Sequence, residues 1–519
     1  MSETAAVTVG RGPLTIEQIV AVARHDAAVV LADDAIAEIE RSSEIIEGLA
    51  GDVVPHYGVS TGFGALATHQ IPAGEPRLTL QRSLIRSHAA GSGPEVEREV
   101  VRALMLLRLS TLATGRTGVR PVVATTYAAM LNQGVTPVVH EYGSLGCSGD
   151  LAPLAHCALA LIGEGPVRDA NGQRRDAGEV LAQAGITPVV LREKEGLALI
   201  NGTDGMLGML ALAITDLRAL LTAADITAAM SVEGLLGTDR VFAADLHALR
   251  PQTGQAISAA TMRTVLDASP IVASHRGPQD TRVQDAYSLR CAPQVCGAAR
   301  DTVEHAATVA GRELASAIDN PVVTNDGRLE SNGNFHGAPV AYVLDFLAIV
   351  SADVASMAER RTDRFLDPSR SHGLPPFLAD SPGVDSGLMI AQYTQAALVS
   401  EMKRLAVPAS VDSIPSSAMQ EDHVSMGWSA ARKLRRAVGA LTQVLAIELL
   451  TAARGIELRA PLLAAPATAA VIAALRETVP GPGPDRFLAP EIQAAVEFLA
   501  DGGLQGATET VTGPLKELS

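Results

Sequence analysis

The stretch GSLGCSGDLAPLAH at residues 143–156 joins a glycine-rich loop to the predicted start of a helix. Glycine reaches backbone conformations that other residues resist, so this loop can bend tightly. In a tight bend the amide nitrogen of Gly149 can attack the carbonyl carbon of Cys147. Two waters then leave, one of them carrying the Ser148 hydroxyl. The product is a conjugated exocyclic methylene, which is a strong electrophile.

Three common catalytic or binding motifs fail around this stretch. Residues 62–67, GFGALA, fit the dinucleotide fingerprint formally, but no clear strand precedes them and no acidic residue follows at about twenty positions. Ser148 lacks the glycine spacing of a nucleophile elbow, and His140-Glu141 has no second histidine to complete a zinc helix. Nucleotide binding, serine hydrolysis and zinc proteolysis are therefore disfavoured.

Further motifs lie along nearly the whole chain. In order, they are YGVSTGFG, QRSLIRSHAAG, KEGLALINGT, VQDAYSLRCAPQV, DNPVV, SNGNFHGAPVA, LPPFL, SGLMIAQ and QEDHVSMGW. Together with residues 143–156 they resemble the aromatic amino acid ammonia-lyases that form 4-methylidene-imidazol-5-one (MIO), and within that family the histidine ammonia-lyases. The usual first residue of the MIO tripeptide is Ala, whereas this chain has Cys147.

The resemblance implies an enzyme that converts L-histidine to trans-urocanate and ammonia, the first step of histidine degradation to glutamate. Its MIO group would form autocatalytically from Cys147, Ser148 and Gly149, with no dissociable cofactor. The Cys147 side chain lies outside the new ring, so it should not block closure. A thiol beside an electrophile can, however, be oxidised or react.

The family also implies a base and an electron sink. The substrate amine adds to MIO and becomes a better leaving group, while Tyr57 as phenolate removes the β-proton. An alternative has the substrate ring attack MIO instead. Tyr57 would need a pKa below its ordinary value of about 10, lowered by neighbouring donors or dipoles. Without the resemblance, Tyr57 would be interpreted as a buried structural tyrosine.

Other site residues follow from the same resemblance. Arg290 would hold the substrate carboxylate with a bidentate fork, instead of forming a surface salt bridge. Tyr287 and Asn201 would be hydrogen-bonding neighbours of MIO and the reacting amine.

A polar pocket for the imidazole is expected from His88, Gln284 and Glu421, whose alternative roles are helix capping or exposed charge. Phe335 would form an aromatic wall, although a Phe beside Gly is more often simple packing. The neighbouring His336 and His423 are interpreted as structural histidines, and no metal is expected.

Composition favours a helical, soluble chain. Of 519 residues, 47% are hydrophobic and only 3% aromatic, with many Ala and Leu, which favours helix over β-sandwich. The net charge of −16 comes without a run of Lys or Arg, so neither nucleic acid nor an anionic membrane is an expected partner. No signal segment and no uninterrupted apolar run of membrane-spanning length is found, and the expected location is cytoplasmic.

The fold is therefore expected to be mainly α, a long-helix bundle of the L-aspartase/ammonia-lyase type with weak, short strands. Helices are predicted after Pro94, from about Gly297 to residue 318, and over about 337–361, 385–405 and 428–453. Residues 1–200 would form an N-terminal domain with the mobile Tyr57 loop and the MIO loop. Residues 201–519 would form the bundle, with a small C-terminal helical cap.

By resemblance the chain would assemble as a homotetramer whose active sites draw residues from three subunits. One rival interpretation is a tyrosine or phenylalanine lyase, or an MIO-dependent aminomutase, against which His88 and Glu421 argue. A second rival is a helical scaffold that has lost MIO, for which the replacement by Cys147 is the indication.

Overall fold

Helices dominate the computed structural model, which describes residues 5–146, 149–277 and 283–516. The α-helices are α1 Ile16–His25, α2 Asp33–Ala50, α3 Glu75–His88, α4 Arg98–Ala113, α5 Pro121–Asn132, α6 Leu151–Leu161, α7 Ala177–Gln183, α8 Glu195–Ala198, α9 Asp204–Gly234, α10 Ala244–Ala248, α11 Thr253–Val265, α12 Pro270–Ala273, α13 Tyr287–Arg290, α14 Ala292–Leu314, α15 Ala338–Leu366, α16 Met389–Leu405, α17 Gly427–Glu457, α18 Pro466–Leu475, α19 Ala489–Ala500 and α20 Gly503–Thr512.

The strands are short, as expected, and form small separate sheets. They are β1 Val7–Val9, β2 Val29–Leu31, β3 Ser92–Glu95, β4 Thr136–Pro137, β5 His140–Tyr142, β6 Pro166–Arg168, β7 Arg174–Asp176, β8 Val322–Val323 and β9 Leu329–Glu330. Strands β1 and β2 pair in parallel; β3 with β5, β4 with β6 and β7, and β8 with β9 pair antiparallel.

The chain divides into two compact units, each built from three segments. Unit 1 comprises Met1–Ala213, Ala307–Asp345 and Pro408–Arg432. Unit 2 comprises Ile214–Ala306, Phe346–Val407 and Lys433–Ser519. Each unit therefore combines distant segments, whereas the expected division places a single boundary at residue 200. That division stays a prediction. Helices α9, α14, α15 and α17 contribute residues to both units.

Helix α4 forms the core of unit 1. Its residues from Val100 to Ala113 are all buried, including Arg102 and Arg108. A buried guanidinium is costly unless its donors are bonded. Arg102 Nε and Nη2 donate to the Val22 carbonyl at 3.0 and 2.9 Å, and Nη1 donates to that of Leu131 at 3.1 Å. Arg102 thereby ties α4 to the ends of α1 and α5.

Unit 2 buries ion pairs among its helices. Glu448 and Arg361 have no exposed side-chain surface and bond each other directly. Arg300 Nη2 donates to Asp225 Oδ2 at 2.7 Å, and both side chains are buried. The described part of this unit holds helices and no strand.

The predicted long helices are confirmed, with shifted ends. The pattern after Pro94 begins its helix at Arg98, α14 begins at Ala292 instead of Gly297, and α15 and α17 extend to Leu366 and Glu457. Sequence reasoning missed α9, one of the longest helices. Apolar side chains surround most of it, so it lacks the one-sided periodicity that marks a helix at a surface.

Three helices, α9, α15 and α17, are long and apolar enough to cross a membrane by length and composition. Charged residues interrupt all three, so the expectation, which considered only uninterrupted apolar runs, did not include them. Most of each apolar stretch is buried inside the protein. A helix that is apolar on all sides also suits the core of a large helical protein.

Candidate active site

The loop that is expected to form MIO ends at Gly149, which packs tightly against Gly202. Gly149 has a φ of +75°, and a Cβ placed on it would lie 1.9 Å from the Gly202 carbonyl oxygen. The Asp150 amide donates to that same oxygen at 2.7 Å. Cys147 and Ser148, the other two members of the expected tripeptide, lie outside the described residues. Only glycine fits at position 149 against this neighbour.

Asp150 anchors the loop end, and sequence reasoning missed it. Its Oδ1 accepts from Ser144 Oγ at 2.9 Å. Its Oδ2 accepts from the amides of Gly205 and Met206, both at 2.9 Å, in the first turn of α9. Complete burial raises the pKa of this carboxyl to about 7, against the lowering effect of its donors. The only sequence signal was its place before a predicted helix.

Arg108 supports the turn that carries Asn201. From α4, its Nη1 donates to the carbonyls of Ala198 and Asn201 at 3.2 and 2.9 Å. Its Nη2 donates to the Ile318 carbonyl at 3.0 Å. A Cβ on Gly202 would lie 2.9 Å from Nη2. The guanidinium, Gly202 and Gly149 are thus stacked without room for further side-chain atoms.

Asn201 is 2% exposed, yet its bonding is incomplete. Its Nδ2 donates to the Asn320 carbonyl at 2.9 Å. Its Oδ1 is buried and has no hydrogen-bond partner among the described residues. A buried acceptor without a partner is costly, so it marks a position where a ligand can supply the missing donor.

A cavity of about 600 Å³ within unit 1 collects several of the expected residues. Tyr57, His88, Asn201 and Glu421 all line it, and Leu151, directly after Asp150, borders it. The remaining lining side chains are mostly apolar or hydroxylic. A mainly apolar cavity with a few convergent polar groups is the usual form of a small-molecule site.

Tyr57 has one fixed partner in the cavity. Its Oη accepts from the Gly64 amide at 3.0 Å, and its ring meets Phe63 edge-on with centroids 6.3 Å apart. Burial raises the pKa of the phenol above its ordinary value, the Gly64 donor lowers it, and the nearby charge of Glu421 raises it. Within one chain the shift is therefore opposite to the expected lowering, because desolvation outweighs the single donor.

His88 is the last residue of α3 and lines the cavity. Its Nδ1 lies 3.0 Å from Ser87 Oγ. Burial lowers the pKa of the imidazole, although the Leu84 carbonyl and the Glu421 charge both favour its protonated form. Glu421 is held in place because its Oε2 accepts from Ser416 Oγ at 2.7 Å.

Gln284, Tyr287 and Arg290 form a separate cluster in unit 2. Arg290 Nη2 donates to Gln284 Oε1 at 2.8 Å, and its Nε donates to the Asp285 carbonyl at 2.9 Å. The guanidinium carbon lies 4.7 Å from the centre of the Tyr287 ring, a cation–π contact. Tyr287 is 70% exposed. None of the three is among the described residues that line the unit 1 cavity.

Phe335 is half-buried and also is not among the described lining residues of this cavity. Its neighbour His336 stacks on His423 with ring centroids 5.4 Å apart and a 3.3 Å contact between Nε2 and Nδ1. Over the described ranges, no group of three or more His, Cys, Asp or Glu side chains is placed to hold a metal.

These features agree with a comparison against known families. The sequence model of the family described as aromatic amino acid lyase matches residues 14–477, and the chain belongs to this family. The expected class of enzyme, a lyase, is thereby confirmed.

Within the family, the chain is similar to proteins named histidine ammonia-lyase. It is 67% identical to that of Streptomyces griseus and 66% identical to that of Streptomyces avermitilis, covering 98% of this chain and 99% of each relative. The sequence-based resemblance to this branch is confirmed.

Solved structures share the fold. A histidine ammonia-lyase from Trypanosoma cruzi has a TM-score of 0.90 at 37% identity, covering 98% of this chain and 96% of that one. A tyrosine aminomutase from Streptomyces globisporus has a TM-score of 0.93 at 38% identity, covering 99% of this chain and 100% of that one. The predicted mainly helical lyase fold is confirmed.

Proposed function

We propose that this chain deaminates L-histidine without oxidation, giving trans-urocanate and ammonia as the first step of histidine degradation to glutamate. The observation that carries the proposal is the unit 1 cavity, which is lined by Tyr57, His88, Glu421 and Asn201, whose Oδ1 has no partner among the described residues. The high identity to relatives named histidine ammonia-lyase supports the choice of substrate.

The proposed cofactor is MIO, formed by the chain itself. Its ring closes when the Gly149 nitrogen bonds to the Cys147 carbonyl carbon, and two waters leave, one from that carbonyl oxygen and one from the Ser148 side chain. The conformation of Gly149 fits ring formation, because its φ is positive and it packs against Gly202. The mature group supplies an electrophile that accepts electron density from the substrate.

In this proposal the Tyr57 phenolate removes the β-proton of the substrate while the amine leaves the α-carbon. The new double bond forms between the α-carbon and the β-carbon. The Gly64 amide is one donor that stabilises the phenolate. Asn201 Oδ1 accepts from the substrate amine. The proposed imidazole contacts are His88, Gln284 and Glu421, and Phe335 is the proposed aromatic wall.

Arg290 would hold the carboxylate, with Tyr287 near the reacting amine. Both belong to unit 2, whose apolar surface supports the proposed homotetramer with shared active sites. Phe346 and Ile349 on α15 are 45% and 43% exposed, and Ile390 and Tyr393 on α16 are 57% and 61% exposed. Large apolar side chains exposed one helical turn apart indicate a contact surface. We expect an isolated monomer to be inactive, and light scattering with activity assays tests this.

A second candidate is a 2,3-aminomutase or another aromatic lyase, favoured by the structural similarity to a tyrosine aminomutase. Against it stand the ring acceptors His88 and Glu421, which suit imidazole. The proposed location is cytoplasmic, with no metal, nucleic acid or membrane partner.

One experiment tests enzyme and electrophile together. Purified protein is weighed for the loss of two waters, about 36 Da, and then given L-histidine, L-tyrosine and L-phenylalanine separately. We expect the loss of mass and trans-urocanate from histidine. A β-amino acid product would establish the aminomutase, and full mass with no product would establish a helical scaffold.

A further inference from the structure

Ser87 connects the His88 ring to the backbone of its own helix. Ser87 Oγ donates to the Leu84 carbonyl at 3.1 Å and lies 3.0 Å from His88 Nδ1. The Leu84 carbonyl also favours the protonated form of the His88 ring. Ser87 and His88 both line the unit 1 cavity.

Counting hydrogens favours one tautomer of the His88 ring. A serine hydroxyl has one hydrogen, and here the Leu84 carbonyl accepts it, so the Ser87 oxygen offers a lone pair to the ring. The carbonyl near the ring can only accept. A bare Nδ1 would need the Ser87 hydroxyl to turn away from the Leu84 carbonyl, whereas an Nδ1–H allows both hydrogen bonds at once. Because burial lowers the pKa of His88, the ring is neutral near pH 7, and a neutral ring with Nδ1–H has a bare Nε2.

We propose that Ser87 is a positioning residue that holds His88 as the Nδ1–H tautomer, so that Nε2 accepts the ring N–H of the substrate. The inference rests on the proposed function and specifies how the substrate ring is recognised. Glu421, on the same cavity, is a second acceptor. An imidazole supplies an N–H to this acceptor pair, and a phenyl ring supplies none. A site built to accept a hydrogen bond rejects a ligand that cannot donate one.

The kinetic test replaces Ser87 and separates KM from kcat. We expect Ser87→Ala to raise KM for L-histidine about fivefold, the size of one ordinary hydrogen bond, with kcat nearly unchanged. Ser87→Thr keeps the hydroxyl and should restore KM. The inhibition constant of L-phenylalanine, which has no ring N–H, should not change.

Thr125→Ala is the matched control, because the exposed Thr125 hydroxyl also donates to a carbonyl three residues earlier, that of Val122 on α5. Its KM should equal that of the wild type. An unchanged KM in Ser87→Ala, or a Ser87→Thr variant as impaired as Ser87→Ala, would overturn the proposal.

A spectroscopic test is independent of turnover. Nitrogen NMR of protein labelled in its histidine rings, with His88→Gln used for assignment, reads the tautomer directly. We expect the proton on Nδ1 in the wild type and a mixture in Ser87→Ala, while a proton on Nε2 in the wild type contradicts the inference. A wild-type protein that makes no urocanate would contradict the proposed function. The NMR measurement would still test the His88 tautomer in that protein.

Discussion

Glu448 in unit 2 and Asn201 in unit 1 are both deeply buried polar side chains, yet their bonding differs. Glu448 is saturated: Oε1 accepts from Ser231 Oγ at 2.8 Å and from Arg361, and Oε2 accepts from Thr227 Oγ1 at 2.9 Å and from Arg361 Nη2 at 3.0 Å. Asn201 uses its amide hydrogen but leaves Oδ1 without a partner among the described residues.

The difference separates two uses of a buried polar group. A saturated group is already compensated for its lost hydration and holds the fold. A group with an open position beside a cavity lacks that compensation, which a ligand can provide. Burial alone therefore does not distinguish structure from chemistry, whereas an unfilled bonding position on a residue that lines a cavity marks a candidate ligand contact.

The largest expected effect tests the cavity side of this comparison. Tyr57 Oη accepts one bond, from Gly64, and borders the cavity. We expect Tyr57→Phe to lower kcat roughly a thousandfold, because proton transfer by a placed side chain is lost. The thermal midpoint should move little, and the mass should still show loss of two waters. A drop in the midpoint with kcat unchanged would make Tyr57 a structural residue.

The next prediction tests Glu448, the buried group whose oxygens all have partners. Glu448→Gln should leave Arg361 buried without its counter-charge and lower the free energy of unfolding by about 3–5 kcal/mol. Urea denaturation measures the loss, and kcat of the folded enzyme should stay close to the wild type. The double variant with Arg361→Gln is the control, since removal of both charges should recover part of the stability. A fall in kcat with unchanged stability would show that Glu448 serves the reaction and not the fold.

A smaller effect compares two asparagines of unit 1. Asn132 has a partner at both ends of its amide, since its Oδ1 accepts from the Val29 amide at 2.7 Å and its Nδ2 donates to the Val29 carbonyl at 2.9 Å. We expect Asn201→Ala to lower kcat by about tenfold to a hundredfold. Asn132→Ala should lower stability by about 1–2 kcal/mol and leave kcat unchanged. Equal effects of both variants on kcat would remove the distinction between them.

Part of the candidate site could be predicted from sequence because its residues lie in short motifs. Tyr57, His88, Asn201 and Glu421 were named in advance, and all four line one cavity. Their assignment to roles in catalysis stays a prediction. The fold class was predictable from a different signal, the regular spacing of apolar residues in segments such as α4.

Other supporting residues could not be predicted, because their function depends on contacts between distant segments. Arg108 bonds carbonyls that lie 90 and 210 residues away along the chain. Its sequence signal, an arginine among apolar residues of a helix, is shared by many surface arginines. The mechanism expected for Tyr57 needs a lowered pKa, whereas burial within one chain raises it, and burial cannot be read from a motif.

The last expected effect is confined to acid pH and concerns His156, a neutral acceptor on α6. Its Nε2 accepts from the Gly91 amide at 3.1 Å, just after the segment that ends in His88. Burial, and then the neighbouring His140, lower its pKa from 6.5 to about 4. Between these values the unfolded chain binds more protons than the folded one, so stability is lost as the pH falls from about 6.5 to about 4.

We expect His156→Gln to flatten that part of the stability profile, because glutamine keeps an acceptor for Gly91 but does not titrate. Urea denaturation across this range measures the slope, and at pH 8, where His156 is neutral in both states, the two proteins should differ little. An unchanged slope would show that His156 binds its proton as readily in the folded protein as in the unfolded chain. The Gly91 hydrogen bond and the burial of His156 would then not keep its ring neutral in the folded protein.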